Sequence, residues 1–239
     1  MGYGMKIKKV NTGEEKHISE WGLILEDSMP QETPEVKTYS IDVPGRHGIL
    51  DLSEGLWGLR FGNRHIPFVL GGVQKRKRWP SIYSAFLNAY HGQKVELTLD
   101  IDPNWHYIGR FYVRGSMERI ARIGKMECEL DAEPFKYGKL SSLEPWKWDP
   151  FSFVNGVIRN YGDIKVNGTT EFVVIGNEHN VTPGLLLLSG AVNVSFRGIS
   201  HQMVSGRNVF YDFDLEPGRN LFTFTGTGRV AIDFKEVSL

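Results

Sequence analysis

Few residues of this sequence have types and spacing that could perform chemistry. Asp100 and Asp102 lie two apart at the end of an alternating apolar run, directly before Pro103. Two carboxylates on one face of a strand could serve glycoside hydrolysis or bind calcium. The same residues are typical of a solvated strand end that enters an Asp-Pro turn, and we favour this simpler interpretation.

Other catalytic and cofactor signatures are weak. The seven histidines are scattered, and none pairs with another histidine or a cysteine at metal-ligand spacing. The single cysteine, Cys128, lies in an alternating run and is predicted to be a buried strand thiol. Gly226-Thr227-Gly228 leads into a strand and lacks a following lysine, so it predicts a hairpin turn and not a phosphate loop. We therefore expect no enzyme activity, no cofactor and no metal.

One local charge cluster stands out, the basic run of Lys75, Arg76, Lys77 and Arg78. It precedes a predicted helix, where positive charge is slightly unfavourable, so helix stability does not explain it. The run could touch nucleic-acid phosphate, face an acidic partner protein, or be a solvated loop. We treat it as a candidate partner-facing loop.

The elements that position these residues are mostly strands. Alternation of apolar and polar residues predicts strands around Tyr39, Trp57, Val95 and Met126, each with one face toward a core. One segment has helical spacing instead, with apolar residues at Trp79, Ile82, Tyr83, Phe86, Leu87 and Tyr90. Pro80 suits the first turn of this helix and Gly92 its end.

The periodicity changes after Tyr137, which divides the 239 residues into predicted domains 1–137 and 138–239. Gly138 to Pro150 resembles a linker or strap that carries Trp146 and Trp148. The remainder is strand and turn, including a predicted strand from Phe210 to Leu215, and indicates a β-sandwich.

Charge and hydropathy exclude several classes of protein. The 28 basic residues balance the 28 acidic ones, so there is no overall basic excess of the kind that nucleic-acid-binding proteins usually show. The N-terminus has no apolar signal-peptide core, and no apolar run approaches the roughly 20 residues that span a bilayer. We expect synthesis in a cytoplasm and no membrane insertion.

Several short motifs, in their order, resemble the siphophage distal tail proteins (Dit). The stretch Val43 to Leu52 contains a Pro-Gly-Arg-x-Gly hairpin motif, and Ile66-Pro67-Phe68 and the single helix follow it. His91 to Val95, Trp105 to Phe111 and Glu133 to Gly138 continue the order, and Leu215 to Asn220 closes it. The resemblance covers nearly the whole chain.

This resemblance implies a mainly β fold: an N-terminal β-sandwich or split-barrel-like domain with one packed helix, and a C-terminal galectin-like β-sandwich. It implies a virion protein at the distal end of a phage tail, made in the host bacterial cytoplasm. Six N-terminal domains would form a hub ring, a homohexamer, that joins the tail tube protein to the tail-associated lysin or fibre protein. DNA would pass through the channel without specific binding, and receptor-binding proteins or host polysaccharide could attach to the outer domains.

Within that picture, the hairpin from Pro44 to Phe61 is the candidate subunit contact, because it is glycine-rich and apolar on one face. Its candidate residues are Pro44, Gly45, Arg46, Gly48, Leu50, Trp57 and Phe61. Two alternatives remain. The chain could be a carbohydrate-binding β-sandwich protein that contacts the host cell wall through exposed aromatics such as Trp146, Trp148 or Tyr161. It could also be an enzyme that uses Asp100 and Asp102.

Overall fold

A computed structural model of the chain describes residues 4–26, 33–53, 55, 58–120, 122–143, 161–177 and 179–239. The chain forms two compact units, Met1–Lys136 and Tyr137–Ser238. Each unit has its own hydrophobic core. A long strand, Ile123–Ser141, contains the residues at which the first unit ends and the second begins.

The first unit is built on one antiparallel sheet and one helix. Its elements in chain order are β1 (Met5–Lys9), β2 (Glu15–His17), a 3-10 helix (Ile18–Trp21), β3 (Ile24–Leu25), β4 (Ser40–Asp42), β5 (Ile49–Asp51), β6 (Arg64–Val73), α1 (Trp79–Tyr90), β7 (Lys94–Leu99), β8 (Trp105–Ile120) and β9 (Ile123–Ser141). The sheet order is β2-β1-β7-β8-β9-β6-β3. Strands β4 and β5 form a separate two-stranded sheet.

The helix α1 covers the apolar face of this sheet because its buried side chains recur at helical spacing. Trp79, Phe86 and Tyr90 are buried, and the rings of Phe86 and Phe111 meet edge to face at 5.9 Å. The helix stops before Gly92, which adopts a positive φ of 76°. The predicted helix, with Pro80 in its first turn, is confirmed.

A pair of glycines makes room for the first side chain of α1. Gly72 of β6 and Gly124 of β9 are paired across the sheet. A Cβ on Gly124 would lie 2.6 Å from Trp79 Cε2, closer than carbon atoms can pack. The indole therefore lies on bare backbone, and its Nε1 donates to the Arg122 carbonyl oxygen at 3.0 Å.

The second unit is a set of antiparallel strands around an aromatic and aliphatic core. Its elements are the end of β9, then β10 (Ile164–Gly176), β11 (Gly184–Phe196), β12 (Ile199–Gln202), β13 (Gly206–Val209), β14 (Gly218–Asp233) and β15 (Lys235–Ser238). The main sheet has the order β10-β14-β11-β12, while β13 pairs with β11 and β15 with β9. Phe196, Phe222 and Phe224 are among its buried side chains.

The predicted fold class, mainly β with one packed helix, is confirmed for the described residues. Three local predictions are wrong. Gly226 to Gly228 are not a hairpin turn but lie inside the continuous strand β14. Phe210 to Leu215 are not a strand: Tyr211 and Asp212 form a turn, closed by a hydrogen bond from the Phe213 amide to the Phe210 carbonyl. Gly138 to Ser141 do not begin a linker, since they continue β9.

Close backbone approach explains the glycines of β14. Gly226 has a φ of 130° and pairs with Gly168 of β10 and Val192 of β11. A Cβ on Gly226 would lie 3.2 Å from the Ala191 carbonyl carbon, and a Cβ on Gly228 would meet the Ser189 carbonyl oxygen. The glycines thus let β14 approach β11 closely where a side chain would clash.

Candidate interaction surfaces

The two carboxylates weighed as a catalytic pair have separate polar partners. Asp100 lies 3.0 Å from Nε2 of His17, and Asp102 lies 3.5 Å from Nζ of Lys136. A turn hydrogen bond joins the Asp102 amide to the Leu99 carbonyl. Each carboxylate therefore has a local structural partner, as expected for a strand end that enters a turn.

The described residues hold no metal cluster, and their buried cysteine is not placed to act as a nucleophile. Within the described residues, no three His, Cys, Asp or Glu side chains are grouped closely enough to hold a metal ion. Cys128 is buried in the core of the first unit, and burial raises the pKa of its thiol far above the ordinary value. The part of the chain that the structure describes also contains no helix long and apolar enough to span a bilayer.

The hairpin predicted as a subunit contact is an arm whose two strands, among the described residues, pair only with each other. In this arm, residues 34–61, Ile41 of β4 faces Leu50 of β5. At its base the Lys37 amide donates to the Arg60 carbonyl at 2.8 Å, and Phe61 meets Phe135 edge to face at 5.8 Å. A two-stranded sheet is marginally stable alone, so such an arm gains from a surface to pack against.

The two faces of the arm differ in chemistry. Cross-strand pairing places Tyr39, Ile41, Leu50 and Leu52 on one face, because Leu52 donates its amide to the Tyr39 carbonyl and the others follow at intervals of two. Tyr39 is 60% exposed. The opposite face carries Ser40, Asp42 and Asp51, together with exposed Ile49. An apolar face left open to solvent is typical of an association surface.

Polar contacts fix the conformation of the arm. The hydroxyl of Ser53 and its amide both donate to the Asp51 carboxylate, at 2.5 Å and 2.9 Å. These hydrogen bonds lower the pKa of Asp51. The Tyr39 amide donates to Ser53 Oγ at 2.8 Å, which ties the outgoing strand to the incoming one.

The predicted contact residues fall at different places in the arm. Pro44, Gly45, Arg46 and Gly48 lie in the exposed turn between the strands, where Gly45 and Gly48 have positive φ. Leu50 is on the apolar face, Phe61 is at the base, and Trp57 lies outside the described residues. The alternation of apolar and polar residues predicts that Tyr39 and Ile41 face a core. The structure corrects this, because no second layer covers β4 among the described residues and both side chains are exposed.

The basic run is fixed firmly at its C-terminal end. Arg76–Arg78 form a single 3-10 turn that leads into Trp79, whose ring is buried against Gly124. Gln74, just before the run, donates its amide to the Arg122 carbonyl at 2.9 Å. The run is therefore displayed between two anchored residues rather than on a long loop.

The cations of the basic run differ in their contacts from many others in the first unit. Lys125 contacts Glu26 at 2.6 Å and Arg114 contacts Glu129 at 2.8 Å. By contrast, the side chains of the basic run, all exposed, have no ion pair or hydrogen bond with any described residue. This leaves a compact positive patch on a protein whose total charge is balanced.

One aromatic residue proposed for sugar binding, Tyr161, is not where that hypothesis needs it. Tyr161 is buried, contrary to the expectation, and its hydroxyl accepts the Ile175 amide at 3.2 Å. Trp146 and Trp148 lie outside the described residues. A large exposed aromatic that the structure does show in this unit is Tyr211, which is 86% exposed. It lies in a turn where the sequence predicts a strand.

Comparison with known proteins gives matches among solved structures. No protein-family model and no curated protein sequence matches the chain. Its architecture is found in a phage protein that belongs to a hub adsorption apparatus. One such solved structure is that of the SPP1 Dit (gp 19.1) protein, described as a paradigm of the hub adsorption apparatus in phages that infect Gram-positive bacteria.

The similarity to SPP1 Dit extends over both units. It covers 98% of this chain and 99% of SPP1 Dit, with a TM-score of 0.57 and 10% sequence identity. The resemblance to the Dit fold inferred from short motifs is thereby confirmed. At 10% sequence identity, a structural match of this kind establishes the fold and not the function.

Proposed function

We propose that this chain is a structural protein of a phage tail tip, where it forms part of the hub and catalyses no reaction. The observation that carries the proposal is the shared fold along essentially the full length of SPP1 Dit. A full-length match of two units supports a common architectural role more strongly than a match of one β-sandwich, since single sandwiches serve many functions.

The arm supplies the physical basis for self-association. A ring requires a heterologous interface, in which one patch of a subunit meets a different patch of the next. The apolar face of Tyr39, Ile41, Leu50 and Leu52 is one such patch, and it extends from the sheet on a ribbon that nothing else in the described chain covers. We assign this face to the contact between neighbouring copies in a ring of six.

The same proposal covers the partners. Domain 1–137 forms the ring, and domain 138–239, with a galectin-like sandwich, faces outward. The ring joins the tail tube protein to the tail-associated lysin or fibre protein. The balance of 28 basic and 28 acidic residues suits a channel that DNA slides through, because a strongly basic lining would retain phosphates.

A pair of neighbouring substitutions tests the arm. Ile41→Asp places a charge on the apolar face, whereas Ser40→Asp places the same charge on the polar face one residue away. Light scattering behind a sizing column should show that Ile41→Asp reduces the assembly to monomers and that Ser40→Asp leaves it intact. Equal masses for the two variants would contradict the assignment, and circular dichroism checks that both remain folded.

A second candidate function, sugar binding by the second unit, has one observation in its favour. Tyr211 is highly exposed, and the adjacent Asp212 carboxylate is held 2.7 Å from Nε2 of His201. An open aromatic ring beside an oriented polar group is an arrangement that suits a sugar ring. Binding of host wall polysaccharide by the full chain, lost in Tyr211→Ala, would support it. Unchanged binding in that variant, or none in the parent, would exclude Tyr211 from such a role.

A further inference from the structure

A cleft in the first unit lies between the 3-10 helix Ile18–Trp21 and the exposed side of α1. It has a volume of about 490 Å³, and its lining includes Trp21, Gln74, Lys77, Arg78, Ser81 and Ile82. The volume is in the range that holds a small ligand or a few side chains of a peptide. Neither the arm nor the fold comparison assigns a role to this cleft.

The walls of the cleft are rigid. Trp21 packs edge to face against Phe86 at 5.6 Å, so the apolar side of the cleft rests directly on the core of the unit. The 3-10 helix is held by a reciprocal cap in which His17 Nδ1 accepts the Ser19 amide and Glu20 accepts the His17 amide. Gly22, with a φ of 69°, ends this helix against the amide of Gln74.

Some polar groups of the cleft have a hydrogen-bond partner among the described residues, and others do not. Ser19 contacts His17 Nδ1 at 2.6 Å, and the Glu20 carboxylate accepts the His17 amide at 3.0 Å. Lys77, Arg78 and Ser81 have no side-chain partner among the described residues. All three are hydrogen-bond donors, and two of them are cations. The open groups of the cleft therefore match acceptors that carry negative charge.

From this arrangement we propose that the cleft is a docking site for an acidic segment of a partner protein. Carboxylates of the segment pair with Lys77 and Arg78, and a short apolar side chain packs against Trp21 and Ile82. Arginine suits this role because its guanidinium can hold a carboxylate through two parallel hydrogen bonds. Glu20, at the edge of the cleft, is already engaged by the backbone of the 3-10 helix.

A protein segment fits these observations better than a nucleic acid. A phosphate backbone needs a track of cations, but other basic side chains of the unit, such as Lys125 and Arg114, are already paired with Glu26 and Glu129. The cleft also has an apolar wall, and apolar surface beside cations is typical of protein interfaces. The proposal deepens the proposed function, on which it rests for the expectation that the partner is another protein of the particle.

The test is a fluorescence-anisotropy titration of the full-length protein with a labelled peptide of alternating glutamate and leucine. It is run at low ionic strength, about 0.05 M salt, because screening weakens exposed charge pairs. Lys77→Glu combined with Arg78→Glu reverses the open charges. Ala85→Trp, on an exposed helix position that lines the cleft, fills the space without changing charge. Lys139→Glu combined with Arg219→Glu makes the same change of charge on the second unit.

We expect the double reversal and Ala85→Trp each to weaken peptide binding at least about tenfold, while the control on the second unit binds as the parent does. Absence of binding by the parent, or equal weakening in the control, would overturn the proposal. Tighter binding of a labelled oligothymidylate with the same dependence on Lys77 and Arg78 would overturn it in favour of nucleic acid. The mass of the parent protein in solution, measured alongside, reports separately on the tail-hub proposal.

Discussion

Gly124→Ala should destabilise the first unit, because the added methyl group meets a ring that cannot move. The new Cβ would lie 2.6 to 2.7 Å from three atoms of the Trp79 indole, whereas ordinary contact begins near 3.4 Å. Trp79 is fully buried, and its Nε1 is fixed by the Arg122 carbonyl. The clash must therefore be relieved by shifts of the core or of the strand.

The size of the effect follows from three contributions. Overpacking of a buried site costs about 1–3 kcal/mol. Loss of the hydrogen bond from Trp79 adds about 0.5–1.5 kcal/mol. Alanine in a strand recovers about 0.5–1 kcal/mol relative to glycine. The net loss is about 2 kcal/mol, which lowers the midpoint of thermal unfolding by about 4–8 °C.

Differential scanning calorimetry measures this loss, with Gly55→Ala as a matched control. Among the described residues, a Cβ on Gly55 has only the Leu52 carbonyl oxygen nearby, at 3.6 Å, so the unfolding midpoint of Gly55→Ala should not fall. Trp79→Phe offers a second check, since the smaller ring should reduce the cost of Gly124→Ala in the double mutant. An unchanged midpoint for Gly124→Ala, or the same cost in both backgrounds, would refute the packing argument.

Three further outcomes are expected. The Cys128 thiol should resist alkylation at pH 8 until the first unit unfolds, since burial raises its pKa; rapid modification of the native protein would contradict this. Hydrogen bonds and charge from Lys16 and Lys9 lower the pKa of Glu14 to about 2, so its stabilising contribution is present above pH 4.5 and is lost as the pH falls toward 2. The urea midpoint should accordingly decline over that interval and not rise, with a smaller decline in Glu14→Gln. Gly226→Ala should destabilise the second unit more than Gly124→Ala does the first, because it adds a Cβ at a φ of 130° beside the Ala191 backbone; native-state hydrogen exchange confined to that unit measures it.

The sequence predicted the elements whose own residues carry the signal. The apolar spacing from Trp79 to Tyr90 specifies α1, because no other period places these residues on one face. The alternation of Met126, Cys128 and Leu130 specifies a core-facing strand, and all three are buried. Such patterns are local, so they predict an element even when its partner strands are unknown.

The sequence did not predict the features that depend on contacts between segments far apart in the chain. Alternation around Tyr39 and Ile41 predicted a core face, but nothing in the pattern tells a core from an unfilled association surface. Gly226 and Gly228 predict a turn from the sequence. In the structure they let β14 approach β11 closely, which only the pairing of the strands reveals. The cleft beside Lys77 and Arg78 could not be predicted either, because Trp21 and Ser81 line it from segments that are far apart in sequence.

The central claim, that the chain assembles into a ring through its arm, is tested most directly by the mass of the protein in solution. Light scattering behind a sizing column, with negative-stain images of the peak, should give about 163 kDa, six times the 27.1 kDa chain, and a ring with an open centre. The same measurement on Ile41→Asp should give a folded monomer. A parent protein that stays monomeric at every concentration, or an Ile41→Asp variant that forms the same ring, would contradict the account.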